Sequence, residues 1–487
     1  MPAVSSPEHA GHGDAAPSRG PRLSTFHWWL LGAIALGLVV RLIFVLHYKW
    51  DQAIAGDAAY YHFQANALAK GLGFVDPWSW SGWDPINSVV DPIRKTGVHP
   101  GAEHPPLYTM FLAIPSRLGF DTFRQHLLAG GILGSLTCGA VGFAGRAVAG
   151  TRVGIVAAFI TAVYANLWIN DGLVQSETIA AFMVALVVLC TYRFWREPSW
   201  KNAALFGLSC GVVALTRAEI IFLAPMIALP LALRARGHDL KRRLQLLGVM
   251  ILVAAIPVVP WVGYNLARFN QPVTLSTGGD FTLANTYCET TFYGERLGWW
   301  DLRCVPDRWA LPGDESDVSA EFREQGLDYL TSHLSRYPVV LAARIGRMWE
   351  IYKPFQKLGW DEYEGGRNPA VFNRLALGQF YALALLAIAG LVMLRRRKII
   401  IYPFIALAIT ASISAMLAFG STRYRVSAEI ALVIAASVPL AELLNRWFPS
   451  DQDPAPESDA DPDDDDAGGQ TSEVSSSVRA SNASDSV

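Results

Sequence analysis

Apolar runs separated by polar segments dominate the hydrophobic pattern of this chain. A helix that crosses the hydrocarbon core of a bilayer needs about 20 predominantly apolar residues. Ten runs reach or approach this length: 28–47, 127–148, 153–169, 173–194, 203–215, 220–233, 244–264, 375–394, 399–419 and 426–444. The pattern therefore predicts an all-α polytopic membrane protein with about ten transmembrane helices.

Two long polar segments, 49–104 and 267–373, interrupt the series of apolar runs. The apolar stretch that follows the first of them, 107–118, is too short to cross a bilayer and predicts an interfacial or re-entrant helix. We expect both polar segments to be outward-facing loops that carry juxtamembrane helices. The transmembrane core then extends over residues 26–448.

The second loop contains an amphipathic pattern at 337–352. We expect an amphipathic helix here, with Arg344 and Arg347 opposite Val340, Leu341, Ile345 and Met348.

Basic residues in the short loops predict the orientation of the chain. If the spans alternate, these residues share one side: Arg146, Arg152, Arg193, Arg196, Lys201, the basic residues of 234–243, and Arg395 to Lys398. The positive-inside rule assigns this side to the cytoplasm. We therefore expect a multi-pass protein of the plasma membrane with both termini cytoplasmic and both long loops outside.

The composition supports a membrane protein with polar ends. Hydrophobic residues make up 52% of the chain and charged residues only 17%, against about 25% charged in an average soluble domain. Residues 1–25 are polar and predict a disordered cytoplasmic leader. Residues 449–487 are rich in acids, Pro and Ser and predict an acidic, disordered cytoplasmic tail.

Two of the five cysteines lie outside the apolar runs. Cys288 and Cys304 are in the second long loop, 16 residues apart. Because this loop is expected to face an oxidising compartment, we predict a disulfide between them. The alternative is a pair of free thiols.

The predicted outer ends of the spans collect ionisable residues of both signs. They are Asp57, Glu103, His104, Glu177, Arg217, Glu219, Arg423 and Arg425. Single charges at span ends usually snorkel to the interface, and Arg217 can simply pair with Glu219. A concentration of them on one face instead favours a polar cavity under the outer loops.

Such a cavity suits a lipid-linked phosphosugar. Its phosphate matches the planar fork of arginine, and an acceptor hydroxyl needs a base such as a carboxylate. We assign Asp57 as the base and Arg217, Arg423 and Arg425 as ligands of the donor phosphate. The remaining residues of the predicted substrate pocket are Tyr60, Tyr61, Glu103, His104 and Glu177.

A short helix is predicted to begin near Asp57, shortly after the first span. Tyr60, Phe63 and Leu68 share one apolar face of that helix, which can lie on the membrane surface. The structural alternative for Asp57 is a helix N-cap.

Motifs for other chemistry are missing from the sequence. It contains no Walker loop, dinucleotide fingerprint, zinc pattern or nucleophile elbow. No basic patch with interleaved aromatic residues indicates a nucleic-acid partner. We therefore expect neither a metal site nor nucleic-acid binding.

An ordered set of short motifs resembles the GT-C membrane glycosyltransferases. The similar branch contains protein O-mannosyltransferases and lipid A aminoarabinose transferases, with its actinobacterial members in particular. The resemblance covers residues 28–445 and rests on Gly56-Asp57-x-x-Tyr60-Tyr61, Glu103-His104-Pro105-Pro106-Leu107-Tyr108, Ser176-Glu177-Thr178, Leu215-Thr216-Arg217 and Arg423-Tyr424-Arg425.

The resemblance implies a polyprenyl-phosphate sugar donor, inverting transfer and no cofactor or metal. It places the family's first-loop acid at Asp57 and the donor-phosphate cations at Arg217 and the Arg423/Arg425 pair. Some relatives have an Asp-Glu pair in the first loop, whereas Ala58 follows Asp57 here. The outer loops are also too modest for the separate domain of oligosaccharyltransferases or arabinosyltransferases.

The function predicted from the sequence is transfer of a single sugar to an acceptor hydroxyl on the outer face of the plasma membrane. The acceptor is a protein or a glycan or lipid of the cell envelope. One alternative is a transporter or flippase of lipid-linked sugars, which needs ionisable residues along a path at mid-membrane. Another is a GT-C homologue that has lost its activity.

Overall fold

The computed structural model describes residues 24–81, 98–305 and 311–448. Almost all of the predicted leader and the whole acidic tail lie outside the described residues. The chain divides into two units, Met1–Leu443 and Leu444–Val487. Only residues 444–448 of the second unit are described.

The described part of the chain is built from α-helices, with only an isolated bridge between Val75 and Pro100 in place of a sheet. In chain order the helices are α1 Thr25–Phe44, α2 Gly56–Ala69, α3 Pro77–Ser81, α4 Leu107–Arg117, α5 Phe123–Ala149, α6 Thr151–Val163, α7 Ala165–Asp171, α8 Glu177–Arg196, α9 Trp200–Ala214, α10 Leu223–Leu233, α11 Leu240–Leu266, α12 Gly278–Thr286, α13 Glu289–Phe292, α14 Glu315–Ser332, α15 Tyr337–Met348, α16 Pro354–Tyr363, α17 Ala370–Arg396, α18 Tyr402–Leu417 and α19 Val426–Trp447.

Six helices of the described residues are long and apolar enough to cross a membrane, which confirms the all-α polytopic class. They are Thr25–Lys49, Phe123–Ala149, Glu177–Arg196, Leu240–Leu266, Ala370–Arg396 and Thr422–Trp447. A seventh span exists if the bent pair α6 and α7 crosses as one unit. Helices also lie at the other predicted positions, but α9, α10 and α18 are shorter, so the number of ten spans stays a prediction.

The break between α6 and α7 turns the chain by 56°. Tyr164 adopts an extended conformation there, with φ −75° and ψ 113°. The break frees the carbonyl of Val163, which accepts hydrogen bonds from Trp168 Nε1 at 3.2 Å and from Gln379 Nε2 at 3.1 Å. Because these side chains satisfy the freed carbonyl, the bend is compatible with burial.

Close backbone approach holds the core helices together. Helices α1, α5, α6 and α8 pack side by side, and α9 packs along α11. A Cβ atom on Gly154 of α6 would lie 2.4 Å from the carbonyl oxygen of Gly142 in α5. Small residues allow such contacts between membrane helices, where packing replaces the hydrophobic effect as the driving force.

The two long loops meet on the same side of the helical core. Thr277 N donates to the carbonyl oxygen of Ala102 at 2.9 Å, and Ala102 N donates to Glu315 Oε1 at 2.9 Å. Helix α4 follows the first loop and has only 11 residues. In the second loop Cys288 and Cys304 form a disulfide.

The prediction for the arginines of α15 is wrong. Arg344 and Arg347 are fully buried, on the same side as Val340 and Met348. Backbone carbonyls explain this burial: Arg344 donates to Met416 O and Thr286 O at 2.8 Å each, and Arg347 Nε donates to Leu297 O at 2.7 Å. The helical period agrees with this arrangement, because positions 340, 344, 347 and 348 lie on one face of a helix, so the expected separation of the arginines from Val340 and Met348 does not follow from the spacing.

Candidate active site

Helix α2 presents Asp57 at the entrance of the site. The residue that caps α2 is Ala55, and Asp57 lies in the first helical turn. Gly56 has a φ of 53°, a left-handed conformation that glycine adopts without steric cost. The side chain of Asp57 reaches out of the helix to two other segments and therefore does not act as an N-cap.

Helix α2 is buried on several sides within the protein, and its position at the membrane surface stays a prediction. Polar side chains of α2 have partners inside the protein. His62 Nδ1 lies 3.1 Å from His126 Nδ1, and Gln64 Oε1 accepts a hydrogen bond from Thr109 at 2.8 Å. These contacts fix α2, and with it Asp57, relative to the core.

Asp57 is paired with two cationic side chains. Its Oδ2 accepts a 2.6 Å hydrogen bond from Arg423 Nη2, and its Oδ1 lies 3.6 Å from His104 Nε2. Burial opposes ionisation, but the charges of Arg423 and His104 outweigh it and hold the pKa of the Asp57 carboxyl well below its usual range. Burial alone would lower the pKa of His104, whereas the nearby carboxylate raises it above the ordinary histidine value.

Glu177, at the start of α8, joins Arg423 to a second arginine. Its Oε1 accepts from Arg423 Nε at 2.6 Å and from Arg217 Nη1 at 2.5 Å. Arg217 Nε donates to Glu219 at 2.7 Å, and its guanidinium lies 5.0 Å from the ring centre of Tyr424. We call the set of Asp57, His104, Glu177, Arg217, Glu219 and Arg423 the outer ion-pair cluster.

The arginines of the outer ion-pair cluster retain donors for a ligand. Arg217 uses Nε and Nη1, and Arg423 uses Nε and Nη2. Within the described part of the chain, Arg217 Nη2 and Arg423 Nη1 donate to no protein group. The arrangement can thus bind an anion beside a carboxylate that can accept a proton.

The predicted pocket residues Tyr60, Tyr61 and Glu103 surround His104. The ring of Tyr61 stacks on His104 at a centroid distance of 4.8 Å, and Tyr60 contacts it edge-on at 4.9 Å. Both tyrosines are buried, and Tyr60 Oη accepts a hydrogen bond from Glu103 N at 3.1 Å. The tyrosines therefore hold His104 beside Asp57 and do not form an open surface.

Glu103 also borders a cavity of about 80 Å³ between the two long loops. Asp76, Thr277 and Glu315 are among the other residues that line it. Burial raises the pKa of the Glu315 carboxyl to about 7, and the charge of Asp76 adds to this effect. The cavity therefore collects several carboxyl groups, among them that of Glu103, the residue before His104.

Arg425 lies apart from the outer ion-pair cluster in its hydrogen bonds. It is 1% exposed, its Nε donates to Glu429 at 2.7 Å, and its Nη1 donates to Met348 O at 2.7 Å. Glu429 also accepts from Tyr164 Oη at 2.7 Å. In the Arg-Tyr-Arg motif, Arg423 thus pairs with Asp57, whereas Arg425 belongs to a separate buried network around Glu429.

That buried network contains residues that sequence reasoning missed. Lys357 donates to Glu350 at 2.5 Å and lies 3.0 Å from Asp361. Arg367 bonds to Asn166 and Asn170. These charges lie within the second long loop, where a single sequence gives no signal that they are buried. Tyr424, whose ring lies beside Arg217, is signalled in the sequence only by its place between Arg423 and Arg425.

Metal ligands do not gather in the described residues. There is no group of three or more His, Cys, Asp or Glu side chains placed to hold a metal ion at residues 24–81, 98–305 and 311–448.

Comparisons of the sequence and the structure with known proteins show what this chain resembles. The sequence model of the dolichyl-phosphate-mannose-protein mannosyltransferase family matches residues 103–261, about a third of the chain. No curated protein matches the chain in sequence. The structure resembles that of the archaeal oligosaccharyltransferase AglB from Archaeoglobus fulgidus in complex with an inhibitory peptide and a dolichol-phosphate, with a TM-score of 0.51 and 15% identity.

The similarity covers 89% of this chain and 53% of the AglB chain, so this chain spans about half the length of AglB. ArnT from Cupriavidus metallidurans bound to undecaprenyl phosphate is also similar, with a TM-score of 0.41, 16% identity, and coverage of 85% of this chain and 78% of ArnT. The fold is that of the GT-C membrane glycosyltransferases. The resemblance seen in the sequence is thereby confirmed at the level of the fold.

Proposed function

We propose that this protein transfers a single sugar from a polyprenyl-phosphate donor to an acceptor hydroxyl on the outer face of the plasma membrane. One observation carries the proposal: Asp57 is hydrogen-bonded to Arg423, which shares Glu177 with Arg217. A proton acceptor and two phosphate ligands are thus adjacent, within a GT-C fold.

The proposed reaction proceeds with inversion at the anomeric carbon. Asp57 takes the proton of the acceptor hydroxyl, and the acceptor oxygen forms a bond to the anomeric carbon. The bond from that carbon to the phosphate oxygen breaks, and its electron pair leaves with the polyprenyl phosphate. Arg217 and Arg423 stabilise the negative charge that develops on the phosphate.

Donor binding would also strengthen the base. Of the surrounding charges, that of Arg423 contributes most to the low pKa of Asp57. A phosphate that draws Arg423 toward itself weakens this pairing, so the pKa of Asp57 rises toward a more useful value for proton transfer. The resting ion pair and the reactive arrangement therefore differ in which anion Arg423 contacts.

The proposed location of the site follows from the side of the membrane on which each loop lies. The two long loops contact each other and so lie on one side. The basic short loops are predicted on the opposite side, which the positive-inside rule assigns to the cytoplasm. The donor would accordingly lie in the outer leaflet, and the acceptor would be a protein or an envelope glycan or lipid. We propose no cofactor or metal, because the two arginines can supply the positive charge.

The test uses purified protein in lipid with a panel of radiolabelled polyprenyl-phosphate sugars. We expect wild type to release or transfer the sugar and Asp57→Asn to lose at least about 100-fold in rate while still binding donor. Asp51→Asn is the matched control, since Asp51 belongs to the same loop but is exposed and paired with Arg124. Retained turnover in Asp57→Asn would remove Asp57 from the mechanism.

Two other outcomes address the alternative functions. Binding of the donor without turnover, across acceptors of each class, would favour an inactive homologue. Movement of labelled lipid between leaflets by both wild type and Asp57→Asn, without sugar release, would favour a flippase.

A further inference from the structure

We infer that Glu177 is a positioning residue that holds Arg217 and Arg423 side by side, with their free N–H groups available to a phosphate. The inference rests on the proposed function and deepens it, because it assigns a task to a carboxylate that touches neither the sugar nor the acceptor. Glu177 is 0% exposed, so it has no surface to offer a substrate directly.

The geometry joins three distant parts of the chain at one atom. Glu177 Oε1 accepts from Arg217 Nη1 at 2.5 Å and from Arg423 Nε at 2.6 Å. Arg217 Nη2 and Arg423 Nη1 have no protein acceptor among the described residues. Each arginine therefore offers one uncommitted nitrogen, and the pair can donate together to the oxygens of one phosphate.

Electrostatics requires a counter-ion at this point. Two guanidinium groups that share a buried position repel each other unless an anion lies between them. Asp57 and Glu219 flank the pair from the outside, at Arg423 Nη2 and Arg217 Nε respectively. Glu177 is the member of the outer ion-pair cluster that contacts both arginines, so its charge keeps them together.

The second oxygen of Glu177 is buried and accepts no hydrogen bond in the described part of the chain. Glu350 Oε2, in the buried network around Lys357, has no partner there either. The role inferred for Glu177 therefore rests on the contact of its Oε1 with both arginines.

The loss of Glu177 has a specific expected consequence. In Glu177→Gln the volume and one acceptor oxygen remain, but the negative charge is removed. Arg423 can then turn its whole fork to Asp57, and Arg217 can turn its fork to Glu219. Each arginine becomes paired with its own carboxylate, and both are less available to a phosphate.

The test measures the dissociation constant of polyprenyl phosphate in lipid-containing micelles, together with donor turnover. We expect Glu177→Gln to weaken polyprenyl-phosphate binding about tenfold, which corresponds to the loss of one charge-assisted hydrogen bond, and to lower kcat as well. Glu177→Asp keeps the charge but is shorter by one methylene, so we expect an intermediate affinity.

Glu429→Gln is the matched control, because Glu429 is equally a buried carboxylate that holds an arginine of the same motif, Arg425. We expect it to lower the thermal unfolding midpoint without a change in polyprenyl-phosphate affinity. Unchanged or tighter binding in Glu177→Gln, or an equal loss in both variants, would overturn the inference. Binding of polyprenyl phosphate by wild type without any donor turnover would contradict the proposed function, whereas the binding comparison would still decide the role of Glu177.

Discussion

Arg423 Nη2 donates a 2.6 Å hydrogen bond to Asp57 Oδ2, although 366 residues separate the two in the chain. The proposed base and a proposed phosphate ligand therefore neutralise each other before any substrate arrives. An ion pair of this kind keeps two charges in place within a partly buried site. It also makes the site responsive to an anionic ligand, which competes with Asp57 for the same guanidinium.

Arg423→Lys tests the importance of the guanidinium fork. Lysine keeps the charge but cannot donate from two fixed positions to Glu177 and Asp57 at once. We expect kcat/KM for the donor to fall about 10- to 100-fold, in line with the loss of one to two charge-assisted hydrogen bonds. Steady-state kinetics over a range of donor concentrations measures this.

The control for that substitution is Arg124→Lys. Arg124 forms an exposed ion pair with Asp51 at 2.5 Å in the same part of the protein. Exposed pairs contribute little, so we expect kcat/KM to change by less than about twofold. Equal losses in both variants would show that the kinetic effect does not come from the fork of Arg423.

The sequence predicts the helical membrane fold well because burial of apolar runs leaves a direct signal. Helices lie at all ten predicted positions, and α5 and α17 match their predicted runs within a few residues. It predicts less well where tertiary acceptors decide the outcome. Arg344 is buried and donates to the carbonyl oxygens of Thr286 and Met416. No local sequence pattern shows that these two acceptors lie beside it.

The sequence predicts part of the candidate site. The order of motifs selects Asp57, Arg217 and Arg423 as outer-face residues, and the structure brings them together. Arg425 does not join them: it belongs to the same 3₁₀ turn, Thr422–Arg425, but donates to Glu429. Spacing alone could not reveal that these arginines point to different carboxylates.

Arg425→Leu is expected to affect stability and not donor recognition. It removes a buried partner of Glu429 and leaves that carboxylate with Tyr164 and Asn166 alone. Breaking a buried ion pair on one side costs about 3–5 kcal/mol. We expect a clearly lower thermal unfolding midpoint, while the donor KM of the remaining folded protein stays within about twofold of wild type.

A compensating variant separates this cost from other effects of the substitution. Arg425→Leu combined with Glu429→Leu removes both charges, and paired apolar replacements of buried ion pairs are often well tolerated. We expect the double variant to recover part of the unfolding midpoint. A donor KM that rises strongly in both variants would return Arg425 to the set of phosphate ligands.

The pair of His104 and Asp57 predicts a pH dependence of stability. The pKa of His104 is raised in the folded protein. Its contribution to the free energy of unfolding is therefore complete below about pH 6.5, the unfolded value, and is lost as the pH rises through the folded pKa. The pKa of Asp57 is lowered, so its contribution to the free energy of unfolding is complete above about pH 3.9, the unfolded value, and is lost as the pH falls through the folded pKa. The pair therefore stabilises most between these limits.

Thermal unfolding of wild type and His104→Gln between pH 5 and pH 9 checks this. We expect the midpoint of wild type to fall with rising pH more than that of the variant, because the variant has no proton to lose at this position. His47→Gln serves as the control, since His47 is exposed. Parallel pH curves for wild type and His104→Gln would show that the ion pair contributes nothing measurable.

The disulfide between Cys288 and Cys304 predicts a thiol count and a local loss of order on reduction. Two of the five cysteines are bonded, and Cys138, Cys190 and Cys210 are free. Under denaturing, non-reducing conditions we expect three thiols to react, and five after reduction. Because the bond closes a loop of 16 residues, its removal in Cys288→Ser/Cys304→Ser should destabilise this region by about 3 kcal/mol. Limited proteolysis should then cut the second long loop faster than in wild type, whereas Cys190→Ser, outside that loop, should leave the rate of cleavage unchanged.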